Sequence, residues 1–540
     1  MLTPVSGSSQ NPVQEVSERR DLHLPFALQR RTGFDPTRWY LLTAGVSLSV
    51  PLVMMALPAV RRALSAESEV LKAALGKIKP TQIGEDVTYL ASDALKGRGT
   101  PSEGLTLAGK HVVDRIKAHG WQPGGPGGSY EHKYTLLRAK LDRQKTGLTF
   151  GIGGSKRSLV FGDDYFYGSL SSRGASDIDL PDAGTLVFGG SGRAEDLAAV
   201  DATGKWLVCR DSGLPASIRR ENAIAKGARG IILLPPEGRL SSRYLRRLQS
   251  RLALAKEKGE VLSSPDHTID EIVLSPKAAK RLLDRLHGGS RSSSRLSLGR
   301  PLTAGRHPVR VEVTQTSPVG LEGVTREEAS NFVGFFPGKD PERSKEVIII
   351  SAHLDHLGER WGKIYPGADD NASGSSALLA LAEAIPALQH EHSVLLIWTT
   401  GEELGLLGSE AWVRNPWLPA GTRPWANINI DMVGRNAAEE LLVTPTSRLG
   451  QYYNGIVRRI ERHAPAEGIT TLKSGDEYWT RSDQYNFASI LKIPAAFITN
   501  DTHPDYHRTT DIASKIKPET IARRTRLIVR VLDDLRGSLD

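Results

Sequence analysis

Apolar residues between positions 83 and 136 recur at three- and four-residue intervals, in Val87, Leu90 and Leu95 and again in Ala108, Val112, Val113 and Ile116. That spacing puts them on one face of an α-helix, so the stretch is predicted to be mainly helical and to lead into a larger domain. A Gly/Pro cluster at 123–128 punctuates it. From about 141 to 325 the pattern changes to short apolar runs parted by Gly, Ser, Asp and Pro, as at 185–188, 206–209 and 230–234, which reads as a β-rich module. Within it, 239–258 reads as a helix with a charged, solvated face, and 287–301, rich in Gly, Ser and Arg, as a flexible loop.

After Asn331 the pattern becomes strand, loop, helix, strand, repeated. Strands are expected at 347–351, 393–400, 425–432 and 494–499, and helices at 374–385, 451–463 and 518–535. Such alternation predicts an α/β fold: a mixed, mostly parallel sheet sandwiched by helices. In folds of that kind the chemistry collects at the carboxyl ends of the strands.

The run 39–60 is uncharged and mostly apolar, with Arg38 before it and Arg61 and Arg62 after it. As a helix it reaches roughly 30 Å, enough to cross a bilayer core. Arg19, Arg20, Arg30, Arg31 and Arg38 favour an N-inside orientation, which would export everything after about residue 66. The expectation is a membrane-anchored protein, or a secreted one if the run is a signal peptide cleaved near Ala66.

With 540 residues and 39% hydrophobic content the chain has material for two to four domains. The formal charge of +9 is made of interspersed charges of both signs, which argues against a nucleic-acid partner. Cys209 is the single cysteine, so no internal disulfide and no cysteine-based metal site can form. Any metal must be held by His, Asp and Glu.

Those residues cluster where the predicted strands end. The first runs into Ala352-His353-Leu354-Asp355-His356, followed after a loop by Gly367-Ala368-Asp369-Asp370-Asn371-Ala372-Ser373-Gly374. The second runs into Gly401-Glu402-Glu403-Leu404-Gly405, the third contains Asn429-Ile430-Asp431-Met432, and the last precedes His503-Pro504-Asp505-Tyr506-His507. So many carboxylates at one sheet edge would repel one another, and burial would increase the cost. Divalent cations resolve the conflict, and mixed His and carboxylate ligation suits zinc.

These five strings, in this order, resemble the secreted bacterial di-zinc aminopeptidases and their glutamate carboxypeptidase and transferrin-receptor relatives, which have a zinc-exopeptidase, phosphorylase/hydrolase-like fold. Tyr89-Leu90-Ala91-Ser92-Asp93 and Gly97-Arg98-Gly99 resemble the family's N-terminal helices, and the β-rich middle is similar to its protease-associated insertion. The apolar run delimits an N-terminal tail at 1–38 and a membrane or signal helix at 39–60, and the resemblance implies peptidase segments at 67–140 and 326–540, with the insertion at 141–325. It implies two zinc ions per chain, with His353 and Asp431 on one, Glu403 and His507 on the other, and Asp369 bridging. Glu402 matches the general base that deprotonates the attacking water. Asp355 matches the carboxylate that orients His353. Tyr506 is the residue expected to donate to the oxyanion. Asp370, like His356, His503 and Asp505, is expected to support the ligands rather than bind metal, and the Asp369–Asp370 peptide is expected to be cis.

The activity so implied is removal of N-terminal residues from peptides. Alternatives are a carboxypeptidase or dipeptidase of the same family, for which Arg435, Arg481 or Arg508 would face a terminal carboxylate, a glutaminyl-cyclase-like acyltransferase, and a non-catalytic membrane-anchored receptor. Two departures from the family pattern, Gln484 in Ser482-Asp483-Gln484 and the Arg508-Thr509-Thr510-Asp511 run, bear on substrate preference. The residues leave oligomeric state open.

Overall fold

A computed structural model of the chain describes residues 67–536 and Leu539, apart from 142–145, 153–154, 170–181, 215, 241, 259, 264–268, 287–299, 301–302, 305–306 and 315–323. The apolar run 39–60 and nearly all of the loop expected at 287–301 lie outside the described residues. Among the described residues no helix is long and apolar enough to cross a membrane.

The helical entry consists of Glu69–Leu75, Pro80–Leu90 and Glu103–Ala118. Ser68 and Ser102 cap the first and third, each hydroxyl accepting a backbone N–H at 3.1 Å, and Pro80 starts the second, where its missing N–H costs nothing. Ile83, Val87 and Leu90, with Leu105, Ala108, Val112 and Ile116, form the buried stripes that the spacing predicts. The helical expectation fails beyond Ala118, because Glu131–Lys140 is a strand. Its buried His132, Tyr134 and Leu136 repeat every second residue, the period of a pleated strand. It pairs antiparallel with Val324–Phe336, whose polar first half is held by Arg138 clasping Glu327 at 2.6 and 2.9 Å. That polarity hides the second strand from an apolar-run reading.

The main sheet runs in the order Thr471–Ser474, Glu440–Thr444, Ala495–Thr499, Arg423–Ile430, Glu346–His353, Ser393–Thr399, Val324–Phe336, Glu131–Lys140 and Glu260–Ser263. Its four middle strands, from Ala495–Thr499 to Ser393–Thr399, are mutually parallel, and antiparallel strands flank them. Alternate residues of Glu346–His353 face opposite layers. Ile348 and Ile350 pack with the helices Gly374–Leu388 and Pro518–Asp534, while Val347 and Ile349 pack with Trp412 and Phe487 from Leu407–Arg414 and Gln484–Ser489. A strand buried on both faces has to be apolar throughout, which is why this one reads as a continuous run.

A second sheet, with its own core, takes most of the chain between Gly147 and Thr314. Asp182–Phe188, Trp206–Arg210, Gly230–Leu234 and Asp270–Leu274 are parallel there, and the helices Ala216–Ala225, Ser242–Lys258 and Pro276–Leu286 accompany them. The module is therefore α/β in its centre rather than purely β-rich. Short strands with helical connections resemble an all-β pattern when the helices are polar, and Ser242–Lys258 is heavily so.

Candidate metal centre

Because the four middle strands are parallel, their carboxyl ends lie along one edge. His353 is the last residue of the central strand, Asp431 follows Ile430 directly, and Glu402 and Glu403 follow Thr399 after a turn. That turn needs two glycines: Gly401 has φ 70°, and a Cβ on Gly408 would lie 2.1 Å from the Thr400 carbonyl oxygen. His507 comes from the loop after Ala495–Thr499 and has a left-handed φ of 57°. Such a backbone is uncommon outside glycine and clusters at functional sites.

Two groups of side chains converge. In the first, His353 Nε2 lies 3.3 Å from Asp370 Oδ1 and 3.2 Å from Asp431 Oδ1. In the second, His507 Nε2 lies 3.1 Å from Asp370 Oδ2 and 3.2 Å from Glu403 Oε1, and His356 Nδ1 lies 3.0 Å from that same Glu403 oxygen. The two carboxylate oxygens of Asp370 thus serve both groups.

Asp370, not Asp369, is therefore the residue placed to bridge. Asp369 faces away and is satisfied by the protein: Oδ1 accepts the Gly434 N–H at 2.7 Å, and Oδ2 accepts from Asn500 at 3.0 Å, with His503 Nε2 3.1 Å away. The cis peptide is likewise Asp370–Asn371, one residue later than expected. Spacing along the chain cannot choose between adjacent carboxylates whose directions are set by backbone dihedrals within one turn. Asp511, close behind in space, receives the N–H groups of both Asp369 and Asp370 on its carboxylate.

The remaining expected residues fall as follows. His353 Nδ1 donates to the backbone carbonyl of Asp355 at 3.1 Å, leaving Nε2 directed at the first group, while the Asp355 carboxylate is 3.8 Å from Nδ1 and accepts the Glu402 N–H at 3.2 Å. Asp355 thus positions both the histidine and the turn carrying Glu402. Asp431 receives a hydrogen bond from Ser482 on Oδ2 at 2.8 Å. Tyr506 stacks its ring on His507, with centroids 3.8 Å apart. Gln484 is buried, accepting from Asn429 at 2.9 Å and donating to the Trp479 carbonyl at 2.8 Å, so it supports the strand end behind Ser482.

The electrostatics are those of a site prepared for cations. Burial raises the Glu402 pKa well above its ordinary value, and the charges of Glu403, Asp431 and Asp483 add to this against the opposing pull of His353. Burial alone would lower the His353 pKa, but Asp431, with hydrogen bonds to Asp355, Asp370 and Asp431, raises it well above the usual imidazole range. Burial also pushes Asp483 up to about 6. Asp370 moves the other way: burial opposes ionisation, yet the surrounding histidines hold it well below the carboxylate range.

The donor set passes a specific test for metal. Asp370 Oδ2, Glu403 Oε1 and both ring nitrogens of His356 are buried and make no hydrogen bond, although Nδ1 of His356 lies 3.0 Å from Glu403 Oε1 and 3.7 Å from Asp370 Oδ2. Buried polar atoms left without partners are costly, and lone pairs aimed at a common point without hydrogen-bond geometry suit a cation placed between them. His356, the Asp370 bridge, Ser482 and Asp511 were not assigned these places from sequence. For Asp511 the one available signal was its position four residues after His507.

Acidic and imidazole side chains meeting at the carboxyl ends of parallel strands form a candidate metal centre. Residues 331–532 match the family model of Peptidase family M28. Aminopeptidase YwaD of Bacillus subtilis (strain 168) is 27% identical over 217 residues, covering 38% of this chain and 45% of that protein. A probable leucine aminopeptidase of Arthroderma otae is 27% identical over 204 residues, covering 35% of this chain and 54% of its own length. The chain thus spans about half the length of these curated relatives. The solved structure of an aminopeptidase from Aneurinibacillus sp. strain AM-1 shares the fold, with a TM-score of 0.51 at 17% identity, over 87% of this chain and 97% of that one.

Proposed function

We propose that the chain is a zinc-dependent aminopeptidase that binds two zinc ions and hydrolyses the first peptide bond of its substrates. The observation that carries the reading is the pair of side-chain groups sharing Asp370, with buried oxygens and nitrogens that no protein group satisfies. The aminopeptidases among its relatives support it. His353, Asp370 and Asp431 would hold one ion and Asp370, Glu403 and His507 the other. Bound there, the pair supplies Lewis-acid polarisation of the scissile carbonyl and lowers the pKa of the attacking water.

The protein's own groups handle the proton. Glu402, whose pKa burial raises, takes one from the attacking water as the C–O bond forms. It returns that proton to the amine nitrogen as the C–N bond breaks. Asp355 holds the Glu402 backbone in place through its N–H. Tyr506, stacked on His507, is assigned to the oxyanion.

The concentration of carboxylates favours a substrate that brings a free α-amine. A carboxypeptidase would need a cation facing the terminal carboxylate; Arg435 is paired with Asp505 at 3.0 Å and the Arg481 guanidinium lies over the Tyr478 ring, while Arg508 is exposed. We assign the module around 141–325 as a protease-associated-like insertion and 67–140 with 326–540 as the peptidase. We also assign the protein to the exterior of the cytoplasm on the strength of the apolar run 39–60 and its arginine flanks. Hydrolysis of aminoacyl anilides, abolished by a chelator and restored by zinc, is the expected result. Stoichiometric zinc without turnover on amine-terminal substrates of any side chain would refute the activity.

A further inference from the structure

We infer that His356 is a fourth protein ligand of the second metal position, through Nδ1, so that the two positions differ in kind. The inference rests on the proposed two-zinc reading of the site.

Four atoms surround the second position, and four of the distances between them are known. His356 Nδ1 is 3.0 Å from Glu403 Oε1 and 3.7 Å from Asp370 Oδ2. His507 Nε2 is 3.1 Å from Asp370 Oδ2 and 3.2 Å from Glu403 Oε1. Zinc takes N and O ligands at roughly 2.0–2.2 Å, so a tetrahedron of its ligands has edges of about 3.3–3.6 Å. The observed spacings bracket that value.

A buried structural histidine would use its ring nitrogens in hydrogen bonds, and neither nitrogen of His356 makes one. Its slot is nevertheless built. Gly367 has φ 60°, and a Cβ there would lie 2.4 Å from Cγ of the imidazole, so the ring takes the space a side chain would fill. Arg98 ties the two loops that form the slot: its backbone carbonyl accepts the His356 N–H at 3.1 Å, and its guanidinium donates to the carbonyls of Leu354, Pro366 and Gly367.

The first position has three protein ligands among the described residues, His353, Asp370 and Asp431, which on the same reading leaves a fourth place for water or substrate. Zinc sites closed by four protein ligands hold structure, and those with an open place take water or substrate. The second position is thereby the tightly retained one, and the first is where exchange and substrate contact fall.

The test uses the full chain loaded with zinc. X-ray absorption at the zinc edge should count three imidazoles over two zincs, and a crystal structure should place His356 Nδ1 within about 2.2 Å of a zinc. In His356→Ala one of the two zinc-binding steps should weaken by more than about 100-fold, beyond the 10–100-fold expected from losing an outer partner, and His356→Gln should not rescue it. If His356→Ala fails to fold, the imidazole count on the wild-type protein decides alone. Two zincs with only two imidazoles, or His356 Nδ1 beyond about 3 Å from both, would overturn the assignment while leaving the peptidase reading intact. A wild-type protein that binds no zinc would instead remove the reading on which it rests.

Discussion

Asp511 receives the backbone N–H of Asp370 on its carboxylate at 3.1 Å, so a residue four positions beyond His507 orients the carboxylate shared by both groups. Burial pushes the Asp511 pKa up to about 6, with the Asp369 charge adding to it, so ionised Asp511 is held at a cost. Asp511→Ala is expected to leave two buried N–H groups without a partner, at about 1–3 kcal/mol each. Thermal melting and zinc content should fall together in this variant.

Asp370 and Asp369 can be separated by the same two measurements. Asp370→Asn is expected to reduce bound zinc at both positions, whereas Asp369→Asn should keep two zincs and lose stability, because its carboxylate serves Gly434 and Asn500. Metal analysis after dialysis, set beside a melting curve, distinguishes them.

On the proposed mechanism, Glu402→Gln removes the proton carrier and nothing that would hold a cation. Turnover of an aminoacyl anilide should drop by roughly 10²–10⁴-fold, with zinc content unchanged. A residual rate near wild type would assign the proton transfer elsewhere.

The pH response of chelated protein follows from His507. Burial lowers its pKa, but Glu403 and Asp370 more than offset this and raise it from 6.5 to about 9. A folded-state value above the unfolded one means that the protonated ring stabilises the metal-free fold fully below about pH 6.5, and that this contribution is lost as pH rises toward 9. Melting temperature in chelator should decline across that window, and His507→Ala should flatten the decline. Zinc affinity should rise over the same range, since the proton has to leave before the metal enters.

Gly367→Ala tests the slot beside the bridge. The left-handed backbone alone costs a residue with a Cβ roughly 1–2 kcal/mol, and the contact with the His356 ring adds to it. The variant should melt lower and lose zinc.

The fold was most legible where burial is two-sided. Ile348, Ile349 and Ile350 identify a central strand by apolarity alone, and the stripes of the two helices that carry Val87 and Ile116 were readable by their spacing. Glu131–Lys140 and the first half of Val324–Phe336 were not, because interleaved polar residues and cross-strand ion pairs hide the strand period there. At the site, His353 and Asp431 meet on one side of Asp370 and Glu403 and His507 on the other, each drawn from a strand end or the loop after it. The Asp369/Asp370 choice and the place of His356 depend on dihedral angles and loop closure, which a string of residue types does not encode.

The side chains gathered around Asp370 come from positions as far apart as 353 and 507, on separate crossovers of the sheet. On the proposed two-zinc reading, no fragment short of the assembled sheet would hold the ions, so capture would follow folding in time. A polypeptide threaded through a membrane would travel empty and take its zinc from whatever the far side offers.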